Sequence, residues 1–356
     1  MKTRKFLSLI IVFLLSSLAT ADDQEPPFLW GSLDWSSDGR YLAVVTTGGV
    51  HIHNSDDLSL YKVLNEFVSS SIKWSNDGLR LAVGTDDPGR LIIWDLETEE
   101  ETFLMTLPAV QHRRNFITSI QWSPRDTSLA AASYSGVYIW HFRTPGRVSG
   151  ITFEGLLSIG FPRIHWRPGG FDIMSGSISN GIAIWNYYTG SLVDFIWNAS
   201  FNSPARWSPD GNMIAAGRGP VTVWQVKPDV PHDAWDEIGG KRIHRLDYGF
   251  GSLQGLSWHP DSTKLAFVFL HGDSGYPPEQ DFSRDGALIW DISANTTRLI
   301  PGVFIADVSH TDKVIEWSPD GSRLASISID GRVVIWETSN YEIVAEYAGY
   351  RSLLDP

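Results

Sequence analysis

Short apolar stretches alternate with polar, glycine-containing turns along most of the chain, and one arrangement of them returns seven times. Its clearest copy reads Ile-Glu-Trp-Ser-Pro-Asp-Gly-Ser-Arg-Leu-Ala over residues 315–325 and closes with Val-Val-Ile-Trp over 333–336. Apolar side chains two positions apart, such as Ile72 and Trp74, lie on the same face of a strand. Each copy predicts a strand, a tight turn and a second strand, because proline presets φ in the turn and glycine accepts a left-handed conformation.

Tryptophan marks two positions of this unit. The opening position holds Trp35, Trp74, Trp122, Trp166, Trp207, Trp258 and Trp317. The closing position holds His53, Trp94, Trp140, Trp185, Trp224, Trp290 and Trp336. Thirteen of the chain's 16 tryptophans therefore belong to the repeat, which is more regularity than chance produces.

The remainder of each unit predicts two further strands. Apolar runs such as Leu91–Trp94, Val137–Trp140 and Ile182–Trp185 are typical of strands buried on both faces. More polar segments, such as Ser191–Ile196 and Glu342–Tyr347, predict a fourth strand. Four antiparallel strands in each of seven units predict an all-β fold, a seven-bladed β-propeller.

At this level of detail the repeat resembles the WD-repeat (WD40-like) family of β-propellers. The resemblance lies in the Ser-Pro-Asp-Gly turns and in the Ile-Trp-Asp endings at 93–95 and 289–291, and it covers roughly Trp30 to Tyr347. It implies structural roles for the closing tryptophans, and a hydrogen-bonded chain of histidine, hydroxyl, aspartate and tryptophan within a blade. In the last repeat that chain would comprise His310, Ser326 or Ser328, Asp330 and Trp336.

The first residues predict a secretory signal peptide. Lys2, Arg4 and Lys5 precede the apolar run 6–18, and Ala-Thr-Ala follows at 19–21. This order matches the charged, apolar and cleavage regions of a signal, and the run is shorter than the roughly 20 residues that a transmembrane helix needs. We expect cleavage after residue 21, a single propeller over 22–356 and a secreted or periplasmic protein without a membrane span. An uncleaved N-terminal anchor is the alternative.

Composition excludes several function classes. The net charge is −13, so a nucleic-acid partner is not expected. Cysteine is absent, which excludes disulfides, thiolate zinc sites and cysteine nucleophiles. His51 and His53 share one strand face, but two ligands make a poor metal site, and packing is the preferred interpretation. Because no catalytic motif is present, we expect neither enzymatic activity nor a cofactor.

The candidate binding residues come from places where the repeat is interrupted. In the geometry implied by the resemblance, the insertion 271–286 in blade six lies on the same rim as the connections 107–115 and 301–312. Arginine and tyrosine are favoured at protein interfaces. The residues predicted to bind a partner are Tyr276, Phe282, Arg284, His112, Arg113 and Arg114. Long loops that are merely tolerated are the alternative explanation.

The preferred functional hypothesis is a monomeric, non-enzymatic scaffold that binds a protein or peptide on this rim. One alternative is a calcium-dependent propeller hydrolase or lactonase with its metal in the central channel, because channel ligands come from separate blades and leave no local motif. A second alternative is a structural ring within a larger envelope assembly.

Overall fold

The protein is described here by a computed structural model. The structure describes residues 29–64, 69–85, 89–107, 116–133, 136–143, 148–151, 163–177, 181–197, 204–217, 220–226, 241–247, 251–271, 286–300, 313–328 and 331–350. The predicted signal peptide, residues 1–21, lies outside these ranges.

In these ranges the strands form seven antiparallel sheets, or blades, each of four consecutive strands. Blades 1 to 3 consist of β1 (Leu29–Trp35), β2 (Tyr41–Thr46), β3 (Gly49–Asn54) and β4 (Leu60–Leu64); β5 (Ser69–Trp74), β6 (Arg80–Thr85), β7 (Arg90–Asp95) and β8 (Glu101–Thr106); and β9 (Ile117–Trp122), β10 (Ser128–Ser133), β11 (Gly136–His141) and β12 (Val148–Ile151). Blades 4 and 5 consist of β13 (Ile164–Trp166), β14 (Asp172–Ser177), β15 (Gly181–Asn186) and β16 (Leu192–Trp197); and β17 (Ala205–Trp207), β18 (Met213–Ala216), β19 (Val221–Gln225) and β20 (Lys241–Leu246). Blades 6 and 7 consist of β21 (Gly251–Trp258), β22 (Lys264–His271), β23 (Gly286–Asp291) and β24 (Thr296–Ile300); and β25 (Ile315–Trp317), β26 (Arg323–Ile327), β27 (Val333–Glu337) and β28 (Ile343–Tyr347).

The two marker positions of the repeat lie in one row across each blade. In blade 7, Trp317 pairs with Leu324, and Leu324 pairs with Trp336 on the next strand. The same register occurs in every blade, with leucine or isoleucine between the opening and the closing residue. Two tryptophan rings in every row except that of blade 1, where His53 closes the row, give the repeat its main apolar contribution.

A turn of constant length joins the first two strands of every blade, with five residues between them. In blade 1, the Ser36 hydroxyl donates to Asp38 Oδ1 at 2.7 Å and accepts from the backbone N–H of Tyr41 at 2.9 Å. Gly39 adopts φ +72°, a left-handed conformation that favours glycine, and its N–H donates to the Ser36 carbonyl. We call the rim formed by these turns the turn face.

The opposite rim, which we call the loop face, consists of the connections between second and third strands and between successive blades. These connections vary from Thr47–Gly48 in blade 1 to 272–285 in blade 6. The sequence prediction placed the large insertion between the second and third strands of blade six, and the ends of β22 and β23 confirm that placement.

First strands of neighbouring blades contact one another in a closed cycle, from β1 through β5, β9, β13, β17 and β21 to β25 and back to β1. The predicted seven-bladed, four-stranded propeller is therefore confirmed. The outer strand of blade 7 is β28, as the sequence indicated, so blade 7 is complete without a strand from blade 1. No helix in the described ranges is long and apolar enough to cross a membrane.

The contact between blades 7 and 1, which we call the closing seam, contains a hydrogen-bonded group that the repeat does not predict. Tyr350, which follows β28, reaches the two histidines of β3. The His53 Nδ1–H donates to the Leu58 carbonyl at 2.8 Å. The Nε2 atom of neutral His53 therefore accepts a hydrogen bond from the Tyr350 hydroxyl, 2.6 Å away. His51 Nδ1 lies 3.1 Å from the same hydroxyl and donates to it. All three side chains are buried.

Candidate functional site

None of the six predicted partner-binding residues can be placed. Tyr276, Phe282, Arg284, His112, Arg113 and Arg114 lie outside the described residues. The strands that flank them do end at one rim, because β22, β8 and β24 all end at the loop face.

The closing tryptophans occupy the third strand of their blades. The side chains of Trp140, Trp185, Trp224, Trp290 and Trp336 are buried, and that of Trp94 is partly exposed. Of the chain expected in blade 7, His310 and Asp330 lie outside the described residues, whereas Ser328 is buried. A tryptophan–hydroxyl bond of the expected kind occurs in blade 4, where the Trp185 indole donates to Ser175 Oγ at 3.2 Å.

A ring of polar residues surrounds the channel at the turn face. It consists of the residue immediately before each opening tryptophan, and its members are Asp34, Lys73, Gln121, His165, Arg206, Ser257 and Glu316. We call these seven residues the polar ring. Because side chains alternate along a strand, each ring residue points away from the side taken by its neighbouring tryptophan.

Backbone groups of the polar ring bind the next blade. The Trp122 indole N–H donates to the Lys73 carbonyl at 3.0 Å, and the Trp166 indole donates to the Gln121 carbonyl at 3.1 Å. Equivalent bonds join Trp258 to the Arg206 carbonyl and Trp35 to the Glu316 carbonyl. Four of the opening tryptophans therefore hold ring residues in fixed positions as well as filling the core.

On one side of the ring, a buried carboxylate is held by two lysines. Lys73 Nζ lies 2.6 Å from Asp34 Oδ1, and Lys313 Nζ lies 3.5 Å from the same oxygen. Lys313, which precedes β25, also donates to the Ile72 carbonyl at 2.7 Å, and the Trp74 backbone N–H donates to Asp34 Oδ2 at 2.7 Å. These bonds link blades 7, 1 and 2 at the channel.

On the other side, Glu316 joins blades 5, 6 and 7. Arg206 Nη2 lies 3.4 Å from Glu316 Oε1, and the Ser257 hydroxyl donates to Glu316 Oε2 at 2.8 Å. The Trp317 backbone N–H donates to Ser257 Oγ at 3.1 Å. Charged side chains this deeply buried remain ionised only when they are paired and hydrogen-bonded.

The pKa values of the two carboxyl groups in the ring are shifted in opposite directions. Burial acts to raise the pKa of Asp34, but Lys313 and Lys73 more than offset it, so the pKa lies below its usual value. Burial raises the pKa of Glu316, and Arg206 and the lysines offset this only in part. Burial also lowers the pKa of Lys313 to about 8, against the opposing effect of Asp34.

Two adjoining cavities open at the turn face above the polar ring. The larger has a volume of about 430 Å³, and its charged lining residues are Lys73, Arg206, Lys313 and Glu316. Its rim consists of opening tryptophans and the prolines of the first turns, namely Trp122, Trp166, Trp207, Trp258, Pro124, Pro168 and Pro209. The smaller cavity, of about 210 Å³, shares Lys73 and Glu316 and adds Asp34. We call the two together the channel mouth.

Comparison with known proteins agrees with this geometry. The family profile described as "WD domain, G-beta repeat" matches residues 102–141 and 305–337. The first segment runs from the last strand of blade 2 to the third strand of blade 3, and the second covers the first three strands of blade 7. The fold is a seven-bladed β-propeller, and the two matched segments are similar to WD repeats.

Among curated relatives, this propeller is 27% identical to Protein HIR1 of Cryptococcus neoformans over 77% of its own length, and 28% identical to WD repeat-containing protein slp1 of Schizosaccharomyces pombe over 85%. It spans 32% of HIR1 and 57% of slp1. It is also 22% identical to the target of rapamycin complex subunit LST8 of Mus musculus, covering 67% of this chain and 68% of LST8.

Solved structures show the same fold. The β-propeller domain of Myceliophteria thermophila Cps50 (Swd1) superimposes with a TM-score of 0.66 at 17% identity, covering 86% of this chain and 96% of that domain. A chain of a mitotic checkpoint complex superimposes with a TM-score of 0.63 at 24% identity, covering 86% of this chain and 89% of that chain.

The chemistry of the channel does not favour the calcium alternative. Calcium prefers a shell of oxygen ligands. Here Asp34 and Glu316 are already engaged by cationic side chains, and Lys73, Arg206 and Lys313 place positive charge where the metal would sit. In the described part of the chain, no group of three or more His, Asp or Glu side chains could hold a metal ion.

The polar ring was not predicted from the sequence, although its signal is visible there. Aligning the repeats on the opening tryptophan gives a preceding column of Asp, Lys, Gln, His, Arg, Ser and Glu. A column that is polar in every repeat indicates a shared exposure to the channel, and its variety of charge indicates that each blade contributes something different.

Proposed function

We propose that this propeller is a non-enzymatic scaffold that binds a protein or peptide partner on its loop face. The proposal includes a secreted or periplasmic location and a monomeric ring, as the sequence predicts. Curated relatives support a role in assemblies, since LST8 is named as a complex subunit, and one similar structure is that of a mitotic checkpoint complex.

The observation that supports the loop face is the contrast in connection length between the two rims. First turns on the turn face all contain five residues, whereas loop-face connections range from two residues to the segments 272–285 and 301–312. One long connection, 227–240, leaves at the turn face. Variable loops on a rigid scaffold are the common site of binding function.

Capture from an extracellular or envelope fraction tests the proposal. The bait is residues 22–356, and the variant is Tyr276→Ala with Phe282→Ala and Arg284→Ala. We expect the variant to lose the partner while its thermal midpoint stays the same, because the exchanged side chains lie outside the tryptophan rows.

A matched control uses the same residue types on the turn face. Tyr188 and Phe171 are 66% and 55% exposed, and the Arg40 side chain is 70% exposed, so Tyr188→Ala, Phe171→Ala and Arg40→Ala form an equivalent triple. Capture should survive in this control. A partner that is retained by the loop-face variant and lost by the control would show that the loop-face assignment is wrong.

A further inference from the structure

We propose that the channel mouth is a second binding site, which takes an acidic side chain from a peptide segment. The site lies on the turn face, opposite the proposed loop-face site, and it does not depend on that function. Its recognition chemistry is a carboxylate held by the cationic groups of the polar ring and of Lys313.

The first argument is local charge. Among the described side chains that line the larger cavity, Lys73, Arg206 and Lys313 are cationic and only Glu316 is anionic. With Asp34 of the smaller cavity included, three cationic side chains face two anionic ones in the channel mouth, whereas the whole chain carries a net charge of −13. A concave site walled by low-dielectric groups focuses its field and attracts ligands of opposite charge.

The second argument is burial. Arg206 is 5% exposed and Lys313 is 3% exposed, and both are held by the surrounding blades rather than extended into solvent. Their positions are fixed by Glu316 at 3.4 Å, by Asp34 at 3.5 Å and by the Ile72 carbonyl at 2.7 Å. Hydrogen bonds between ionised partners are roughly twice as strong as neutral ones, and preorganised donors lose little entropy on binding.

The third argument is shape and rim chemistry. A volume of about 430 Å³ falls within the range of about 300–1,000 Å³ that is typical of ligand pockets. The prolines and tryptophans around it form an apolar rim, with the charged groups at its base. This arrangement suits an amphipathic peptide whose backbone and apolar atoms contact the rim while one carboxylate reaches the base.

Peptide binding measured by calorimetry tests the proposal. The probe is a pool of acetylated, amidated hexapeptides with glutamate fixed at one central position, and the matched pool has glutamine there. We expect the glutamate pool to bind about tenfold more tightly, because the carboxylate forms charge-assisted bonds that the amide does not. Raised salt should weaken the glutamate pool selectively.

Two lysines provide a matched pair of variants. Lys73 Nζ lies 2.6 Å from Asp34 in the mouth, and Lys62 Nζ lies 2.7 Å from Glu99 on the outer edge of the ring. Their side chains are 29% and 23% exposed. Lys73→Gln should weaken binding of the glutamate pool by about fivefold or more, and Lys62→Gln should leave it unchanged.

A paired exchange tests the arginine without leaving a buried charge alone. Arg206→Gln with Glu316→Gln removes one cation and one anion together, so neither is left buried without its partner while the guanidinium is lost; the thermal midpoint checks that the variant is folded. We expect this variant also to bind the glutamate pool about fivefold more weakly.

Equal binding of the two pools, or unchanged binding in both mouth variants, would overturn the site while leaving the loop-face function untouched. Inorganic phosphate is the remaining arm. If phosphate binds in the mouth and the glutamate pool does not, the site takes a small free anion and the peptide proposal is wrong.

Discussion

The closing seam and the inner seams join blades of the same repeat by different chemistry. Three inner seams, between blades 2 and 3, 3 and 4, and 5 and 6, contain an indole N–H that donates to a backbone carbonyl, a bond that does not change with pH. The closing seam retains this bond through Trp35 and adds the buried group of His51, His53 and Tyr350. The difference explains why the first repeat has histidine where the other repeats have the closing tryptophan.

A tryptophan at position 53 would need space that is occupied by Tyr347, the last residue of β28, and by Tyr350. Tyr347 and Tyr350 pack on His53 with ring centroids 4.7 Å and 6.0 Å away. The smaller imidazole leaves space for both rings, and its two nitrogens bind Leu58 and Tyr350. A departure from the repeat therefore marks the place where the ring closes.

Removing the Tyr350 side chain should have the largest effect on the closing seam. Tyr350→Ala deletes a ring that is 5% exposed and leaves His53 Nε2 without its hydroxyl partner. We expect a loss of about 3–5 kcal/mol in the free energy of unfolding, measured by urea titration. Tyr188→Ala, at a site that is 66% exposed, should cost well under half of that; similar losses in the two variants would contradict a special role for the closing seam.

Restoring the repeat should also destabilise the ring. His53→Trp places a larger side chain into a space that Tyr347 and Tyr350 already fill. Overpacking of this kind costs about 1–3 kcal/mol, in spite of the gain in apolar area. If thermal unfolding instead shows a more stable protein, the histidine is a tolerated change and has no role in closure.

Acid should affect the closing seam before the inner seams. Burial, together with neighbouring His53, lowers the pKa of His51 from 6.5 to about 4, and burial also lowers the pKa of His53. The unfolded chain therefore binds the proton more readily, so the stabilisation is complete above pH 6.5 and is lost as pH falls towards 4.

For His51 alone the loss between pH 7 and pH 5 is about 2 kcal/mol. Urea titrations at the two pH values measure it, with His51→Gln as the control. The variant should show a smaller pH dependence than the parent; identical dependence would place the acid-sensitive groups elsewhere.

The smallest expected effect separates two opening tryptophans. The Trp122 indole donates to the Lys73 carbonyl, whereas the Trp74 indole nitrogen has no hydrogen-bond partner among the described residues. Trp122→Phe should therefore cost about 1 kcal/mol more than Trp74→Phe in urea unfolding. Equal costs would mean that only ring packing matters at the inner seams.

The sequence was sufficient for the fold because repetition compensates for weak local signals. The row of Trp317, Leu324 and Trp336 is set by spacing alone, and seven copies of the same spacing specify seven blades. Some strands begin or end one residue away from the predicted position; β28, for example, begins at Ile343, whereas the sequence pattern predicted Glu342. The shift arises because a fourth strand pairs with only one neighbour, which fixes its first residue less firmly.

The polar ring and the closing seam were harder to predict because both depend on contacts between distant parts of the chain. Asp34 and Lys313 are in different blades and meet only because the ring closes. His51 and His53 were expected to pack, which the structure bears out, but nothing local links them to Tyr350. The partner-binding residues of the loop face stay a prediction.

Each blade is built from four consecutive strands of the chain. No strand of blade 1 belongs to the sheet of blade 7. The two ends of the chain could therefore lie at a different seam without changing the order of the blades around the ring. A circular permutant that joins the region after Tyr350 to β1 by a flexible linker, and opens between blades 3 and 4, would keep all seven sheets intact. Its new ends would lie at a seam held by an indole–carbonyl bond, and the histidine–tyrosine group would become an interior contact.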